Sequence, residues 1–216
     1  MAKAILQAAG VTRVTLGTAV TCACGDLLGW DGTQWTQAKA DTRIPAQFMA
    51  MEAQLTAGGV VDVCQEGVLQ DTLAPFTLGA DLYLATTAGG LAALPAISAT
   101  LTIMQRVGKA VATDTVTFDL AQRGPHEMRA NVTYDPASLA AITARSDTAT
   151  LTGLLTTDLV TRAAGSVLTG TGWDTGLIIQ NMDASAANTI RFRLSNPTAG
   201  ALDGASVTVP VYVDRY

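Results

Sequence analysis

Short apolar runs broken by turn residues constrain this chain most, and nothing in it longer than a single turn has a helical pattern. Asp31-Gly32, Gly58-Gly59, Ala88-Gly89-Gly90 and Gly124-Pro125 cut the apolar runs into short pieces. Such residues punctuate strands because they supply positive φ or a preset turn. Several pieces alternate with period two, the mark of a half-buried strand. Val116, Phe118 and Leu120 share one face, with Thr117 and Asp119 on the other. Ile190, Phe192 and Leu194 alternate with Arg191 and Arg193, which puts both arginines on one face. Val207, Val209, Val211 and Val213 repeat the pattern, with Pro210 among the outward residues. A proline there is expected to mark an edge strand.

Strands are expected at residues 11–14, 19–24, 27–30, 45–53, 59–65, 82–85, 101–105 and 116–120. In the second half they are expected at 149–155, 166–168, 176–180, 189–194 and 206–213. Asp31-Gly32 between apolar runs predicts a hairpin that brings Trp30 and Trp35 to its two arms. Residues 139–144 are the one place where a helical turn is expected. Gly124-Pro125 within Gln-Arg-Gly-Pro-His-Glu reads as a linker, so the domains are set at 1–122 and 126–216.

Composition narrows the function. Aromatics are 5% of the chain and charged residues 14%, and the formal net charge is −5. Lysine and arginine are scattered singly, which argues against a nucleic-acid binder, since a phosphate backbone needs them clustered. No apolar run reaches the length of a membrane span, and residues 1–10 lack the parts of a signal peptide. The chain therefore reads as soluble and made in a cytoplasm. Cys22, Cys24 and Cys64 form no complete disulfide framework and read as small core residues. The single histidine, His126, leaves too few ligands for zinc, so no metal or cofactor is expected.

Four stretches of the first half resemble the small β-rich decoration (cement) proteins of tailed-bacteriophage capsids. They are Cys24-Gly25-Asp26-Leu27-Leu28-Gly29-Trp30; Ala46-Gln47-Phe48-Met49-Ala50-Met51-Glu52 with Ala57-Gly58-Gly59-Val60-Val61-Asp62-Val63; Leu78-Gly79-Ala80-Asp81-Leu82-Tyr83-Leu84-Ala85 with Gly89-Gly90-Leu91; and Gln105-Arg106-Val107-Gly108-Lys109-Ala110. Leu78 stands where that family more often has proline. In the second half, Tyr134-Asp135-Pro136-Ala137-Ser138-Leu139, Gly176-Leu177-Ile178-Ile179-Gln180 and the stretch from Ala186 to Asn196 resemble a phage jelly-roll module.

The resemblance implies an all-β protein, with an N-terminal small β-barrel or β-tulip followed by a jelly-roll-like β-sandwich. It implies a structural, non-enzymatic virion protein that decorates and stabilises the outside of a capsid by bridging subunits. The major capsid protein and further copies of the chain, as a homotrimer, are its expected partners. Nucleic acid and membrane are not. The expected location is the capsid surface, after synthesis in the bacterial host cytoplasm. A tail, baseplate or head-fibre component is the alternative, followed by a carbohydrate-binding module using Trp35 or Trp173.

Among candidate site residues, Ala2, Lys3, Ala4, Ile5, Leu6 and Gln7 are expected to form an arm that lies along a capsid subunit and adds a strand to its edge. Trp30 and Trp35 are expected in the core or at a subunit interface. His126 with Glu127 reads as a solvated linker pair, and no serine, cysteine or aspartate spacing suggests a catalytic triad. Gly170, Gly172 and Gly176 lack the following helix of a phosphate loop. Asp31, Asp81, Asp174, Asp183 and Asp203 read as turn residues.

Overall fold

The structure, a computed structural model, describes residues 3–72, 75–95, 97–121, 127–162, 168, 172–174 and 176–215. The described residues contain strands and no helix. The strands are β1 (Lys3–Ala9), β2 (Thr12–Thr15), β3 (Leu27–Trp30), β4 (Trp35–Gln37), β5 (Phe48–Ala50), β6 (Val60–Cys64), β7 (Glu66–Asp71), β8 (Asp81–Leu84), β9 (Leu91–Ala92), β10 (Thr102–Ile103), β11 (Arg106–Ala112), β12 (Thr115–Asp119), β13 (Met128–Tyr134), β14 (Thr143–Thr150), β15 (Leu159–Arg162), β16 (Ile178–Ala186), β17 (Thr189–Asn196) and β18 (Val207–Asp214). The chain forms two compact units, Met1–Ala96 with Thr102–Gly124, and Ile97–Leu101 with Pro125–Tyr216. Residues 97–101 thus belong with the second unit although they lie inside the expected first domain. The Asn131 N–H donates to the Ser98 carbonyl at 2.8 Å, and Thr100 bridges Thr152.

In the first unit, β1, β7, β12, β11, β8 and β9 pair in that order, and β2, β6, β5, β3 and β4 make a second sheet. Leu27, Met49 and Cys64 of the second sheet pack with Leu69, Leu84, Val107 and Phe118 of the first in one buried cluster. Period two sends Leu28, Phe48, Ala50, Val61 and Val63 to the opposite face, where Val14, Leu16 and Cys22 join them. Neither sheet closes into the expected barrel. The five-stranded sheet brings its edges together only at one isolated bridge, Leu16 to Trp35, so the unit is two open sheets packed face to face.

The two sheets share one bent ladder. β1 pairs with β7 and β2 pairs with β6, while Gly10 and Gln65 sit opposite each other where the chain changes sheets. Gly10 takes φ +62°, and a methyl there would lie 3.2 Å from the Gln65 Cβ. Strands that switch sheets at such bends make the corners of sandwiches.

The second unit is a sandwich. β13, β18 and β15 pair on one side, and β14, β17 and β16 on the other. Tyr134 of β13 stacks on Phe192 of β17 with centroids 4.3 Å apart, which fastens the sheets together. The Ile190–Leu194 alternation appears as expected, with Phe192 buried and Arg191 and Arg193 outward. Pro210 does not mark an edge, because β18 runs between β13 and β15. Opposite Pro210, Asn131 turns its N–H away from β18 to Ser98. Pro210 therefore also faces away from β13, on the side of β15 beyond Arg162, the last described residue of that strand. No donor is missed. The helical turn expected at 139–144 is a bend, with Ile142 at φ +48°, and the expected strand 19–24 reduces to one bridge, Cys22 to Gln54. The expected strand 166–168 lies almost wholly outside the described residues.

Candidate interaction surfaces

The motif residues of the first half turn out to be internal staples. Gly25, at φ +77°, turns the chain so that the Asp26 carboxylate faces inward. Asp26 Oδ2 accepts from the Ala23 N–H at 2.9 Å and from Gln37 Nε2 at 2.8 Å, while Lys3 Nζ lies 3.6 Å from Oδ1. Gly89 leaves room for it, since a Cβ there would come within 3.0 Å of Asp26. Gln105 is buried and bonds both groups of one residue. Its Oε1 accepts from the Ala46 N–H and its Nε2 donates to the Ala46 carbonyl, each at 2.7 Å.

The expected arm is not free. Lys3 to Gln7 lie within β1, paired to β7, and Ala2 lies outside the described residues. Ile5 packs against the core, and its N–H faces the Cys24 sulfur. From Leu6 onward the picture changes: every residue in 6–13 is exposed, with Leu6 at 55% and Val11 at 56%. Alternation alone could not reveal that half of this strand is covered and half is not.

Trp30 and Trp35 do share the hairpin, as an edge-to-face pair with centroids 5.6 Å apart. Trp35 packs on against Phe48 at 5.3 Å and is half-buried. Trp30 is exposed at 43%. The turn below it is rigid, because Asp31 Oδ1 accepts from the N–H groups of Thr33 and Gln34 at 2.8 and 2.9 Å. These bonds hold the Asp31 carboxyl below its ordinary range. Trp173 is no stacking platform. It is buried and donates its Nε1–H to the Ala205 carbonyl at 2.7 Å.

Two of the expected turn aspartates are strand residues in ion pairs. Asp81 opens β8 and meets Arg106 at 2.8 Å. Asp183 in β16 accepts two bonds from Arg191, at 2.8 and 2.7 Å, and these hold its carboxyl low. On the seam between β13 and β14, Asp147 Oδ2 accepts from the Tyr134 hydroxyl and from Arg145, each at 2.7 Å. Burial pushes Asp147 up, but the bonds from Arg145 and Tyr134 outweigh it and leave it low. Burial, then the bond to Asp147, hold the Tyr134 phenol far above its usual range. An open depression beside this seam is lined by Thr133, Asp135, Ser146 and Thr148, with the Tyr134 hydroxyl already engaged.

Burial pushes all three thiols up, Cys64 to about 11, so they are protonated at neutral pH. Among the described residues, no three His, Cys, Asp or Glu side chains could hold a metal ion together. No helix of the described residues is long and apolar enough to cross a membrane. His126 and Gly170 lie outside the described residues. No family model matches the chain, and neither the curated proteins nor the solved structures contain a match to it.

Proposed function

We propose that this protein is a non-enzymatic structural component of a tailed-phage particle that binds the outside of the capsid and bridges its subunits. The observation that carries this reading is the exposed Trp30, held rigid on its Asp31 turn. Tryptophan is favoured at protein interfaces, where a fixed aromatic gives contact area at little entropic cost. Stabilisation would follow by linkage, since a ligand that binds only the assembled shell favours that state. Homotrimers would suit threefold positions on such a shell.

Co-sedimentation of the full chain with empty shells lacking their decoration protein tests the reading. The wild type is expected to pellet, and Trp30→Ala to bind about tenfold more weakly, the loss of about 1.4 kcal/mol. Failure of the wild type to pellet overturns it. Exposure of Trp30 also favours a second reading, a carbohydrate platform, which binding on a glycan array would support.

A further inference from the structure

We infer that the outer edge of the bent ladder, residues 6–13, is a docking rail that takes an extended, uncharged segment of the shell subunit as an added strand. The inference rests on the proposed capsid role and assigns its site. β1 and β2 are edge strands of the two sheets, so the rail is continuous across the corner at Gly10. At the start of β1 the edge is covered, with Lys3 drawn back to Asp26 and Ile5 facing Cys24. Beyond it, backbone groups face outward. The Ala9 carbonyl accepts from the Gln65 N–H at 3.1 Å, and a methyl at Gly67 would lie 2.1 Å from the Gln7 carbonyl oxygen, so both carbonyls point to β7. Alternation then turns the N–H and carbonyl of Ala8 away from the sheet.

Protein edges are ordinarily guarded by a charge, a proline, a bulge or extreme shortness. The far edge of the same sheet is guarded in this way, since β9 has two residues. The rail has one such bulge, at Leu6, but residues 7–12 beyond it carry neither a charge nor a proline. Its one charged side chain, Arg13, is held by Asp62 at 2.7 Å. A neutral edge with exposed Leu6 and Val11 suits an apolar, uncharged strand. A second copy fits less well, because its own rail is bent at the same glycine. An extended segment that orders on docking follows the bend.

The test uses the full chain and the same empty shells. Ala8→Pro removes an outward N–H without breaking a bond to β7, and Leu6→Lys restores an edge charge at an exposed position. Both are expected to keep the wild-type melting temperature and to bind shells at least about tenfold more weakly. Amides of residues 6–12 should exchange more slowly in the pelleted complex than in free protein. Equal pelleting of both variants, or unchanged exchange in a wild-type complex, overturns the rail while leaving the capsid role standing. A wild type that does not pellet overturns both. Slowed exchange that appears without shells as protein concentration rises overturns the rail in favour of a second copy.

Discussion

The two units solve the same problem, a core with few aromatics, by different polar chemistry. The first unit satisfies its buried polar groups with side-chain to backbone bonds. Gln105 takes both groups of Ala46, and Asp26 ties together the Ala23 turn, Gln37 and Lys3. The second unit has a buried amide of this kind too, Asn196, whose Nδ2 donates to the Leu139, Ala140 and Gly200 carbonyls, but adds arginine–carboxylate pairs. Arg215 meets Asp158 through two bonds at 2.8 and 2.6 Å, Arg191 holds Asp183, and Arg145 shares Asp147 with Tyr134. A neutral amide bonded to backbone is indifferent to pH, whereas a paired carboxylate is not. The units should therefore fail under different insults.

The largest effect is expected from Arg215→Ala. The Asp158 side chain is fully buried, and the Arg215 guanidinium also donates to the Gly153 carbonyl at 3.0 Å. Removing one partner of a buried pair strands the other, at a cost of about 3–5 kcal/mol. With 5-fluorotryptophan incorporated, the fluorine signal of Trp173 reports the second unit, and those of Trp30 and Trp35 report the first. Only the Trp173 transition should move to lower temperature. Movement of all three would show that the units do not unfold separately.

Gln105→Ala is the counterpart in the first unit. It leaves the buried N–H and carbonyl of Ala46 unpaired, which costs about 2–4 kcal/mol in total. The Trp30 and Trp35 signals should shift and Trp173 should not. Gln105→Glu sharpens the point. Protonated, its carboxyl can still accept from the Ala46 N–H and donate its O–H to the Ala46 carbonyl, so it should stay near wild type in acid. Ionised, it loses that donor and buries a charge, so it should fall towards alanine as pH rises.

Strands that alternate cleanly were legible from residues alone, such as β12 with Val116 and Phe118 or β17 with Phe192. Two strands went unpredicted where a glycine interrupts the apolar pattern, β7 and β11. Gly67 and Gly108 lie inside strands, where a methyl would come within 2.1 Å of the Gln7 and Thr117 carbonyl oxygens. Their role is close backbone approach, and no sequence spacing separates that from a turn. Pro210 was misplaced for a related reason, since a proline turned away from a neighbouring strand can sit inside a sheet, and spacing does not show which way it faces. For the candidate site, the Trp30–Trp35 hairpin was legible because Asp-Gly has a local mechanism. The division of β1 into a covered and an open half was not, because the residues that cover it, Cys24 and Asp26, arrive from elsewhere in the chain.

The smallest expected effect is a reversal of rank with pH. On the acid side, Asp147 and Asp183 have folded pKa values below the unfolded value of about 3.9. Their contribution is present above that pH and is lost as pH falls through the folded values, so the second unit weakens below about pH 4. The low carboxyls of the first unit, Asp31, Asp62 and Asp114, belong to turns and pairs at the surface, where solvent screens the effect. On the alkaline side the sign reverses. A raised folded pKa gives stability that is full below the unfolded value and lost as pH rises towards the folded one. Cys64 moves from 9.0 to about 11, so at pH 10 the first unit should have lost about 1–1.5 kcal/mol through this thiol. Tyr134 begins from 10.0 and is raised further, so at the same pH the second unit has lost only about 0.4 kcal/mol. Fluorine-monitored melts at pH 3.5, 7 and 10 should show Trp173 as the more labile probe in acid and Trp30 and Trp35 as the more labile in base. Cys64→Ser should remove much of the alkaline loss from the first unit, whatever it does to stability at pH 7. If the tryptophan signals keep one order of melting shift at both extremes, the division between backbone-stapled and ion-paired units is wrong.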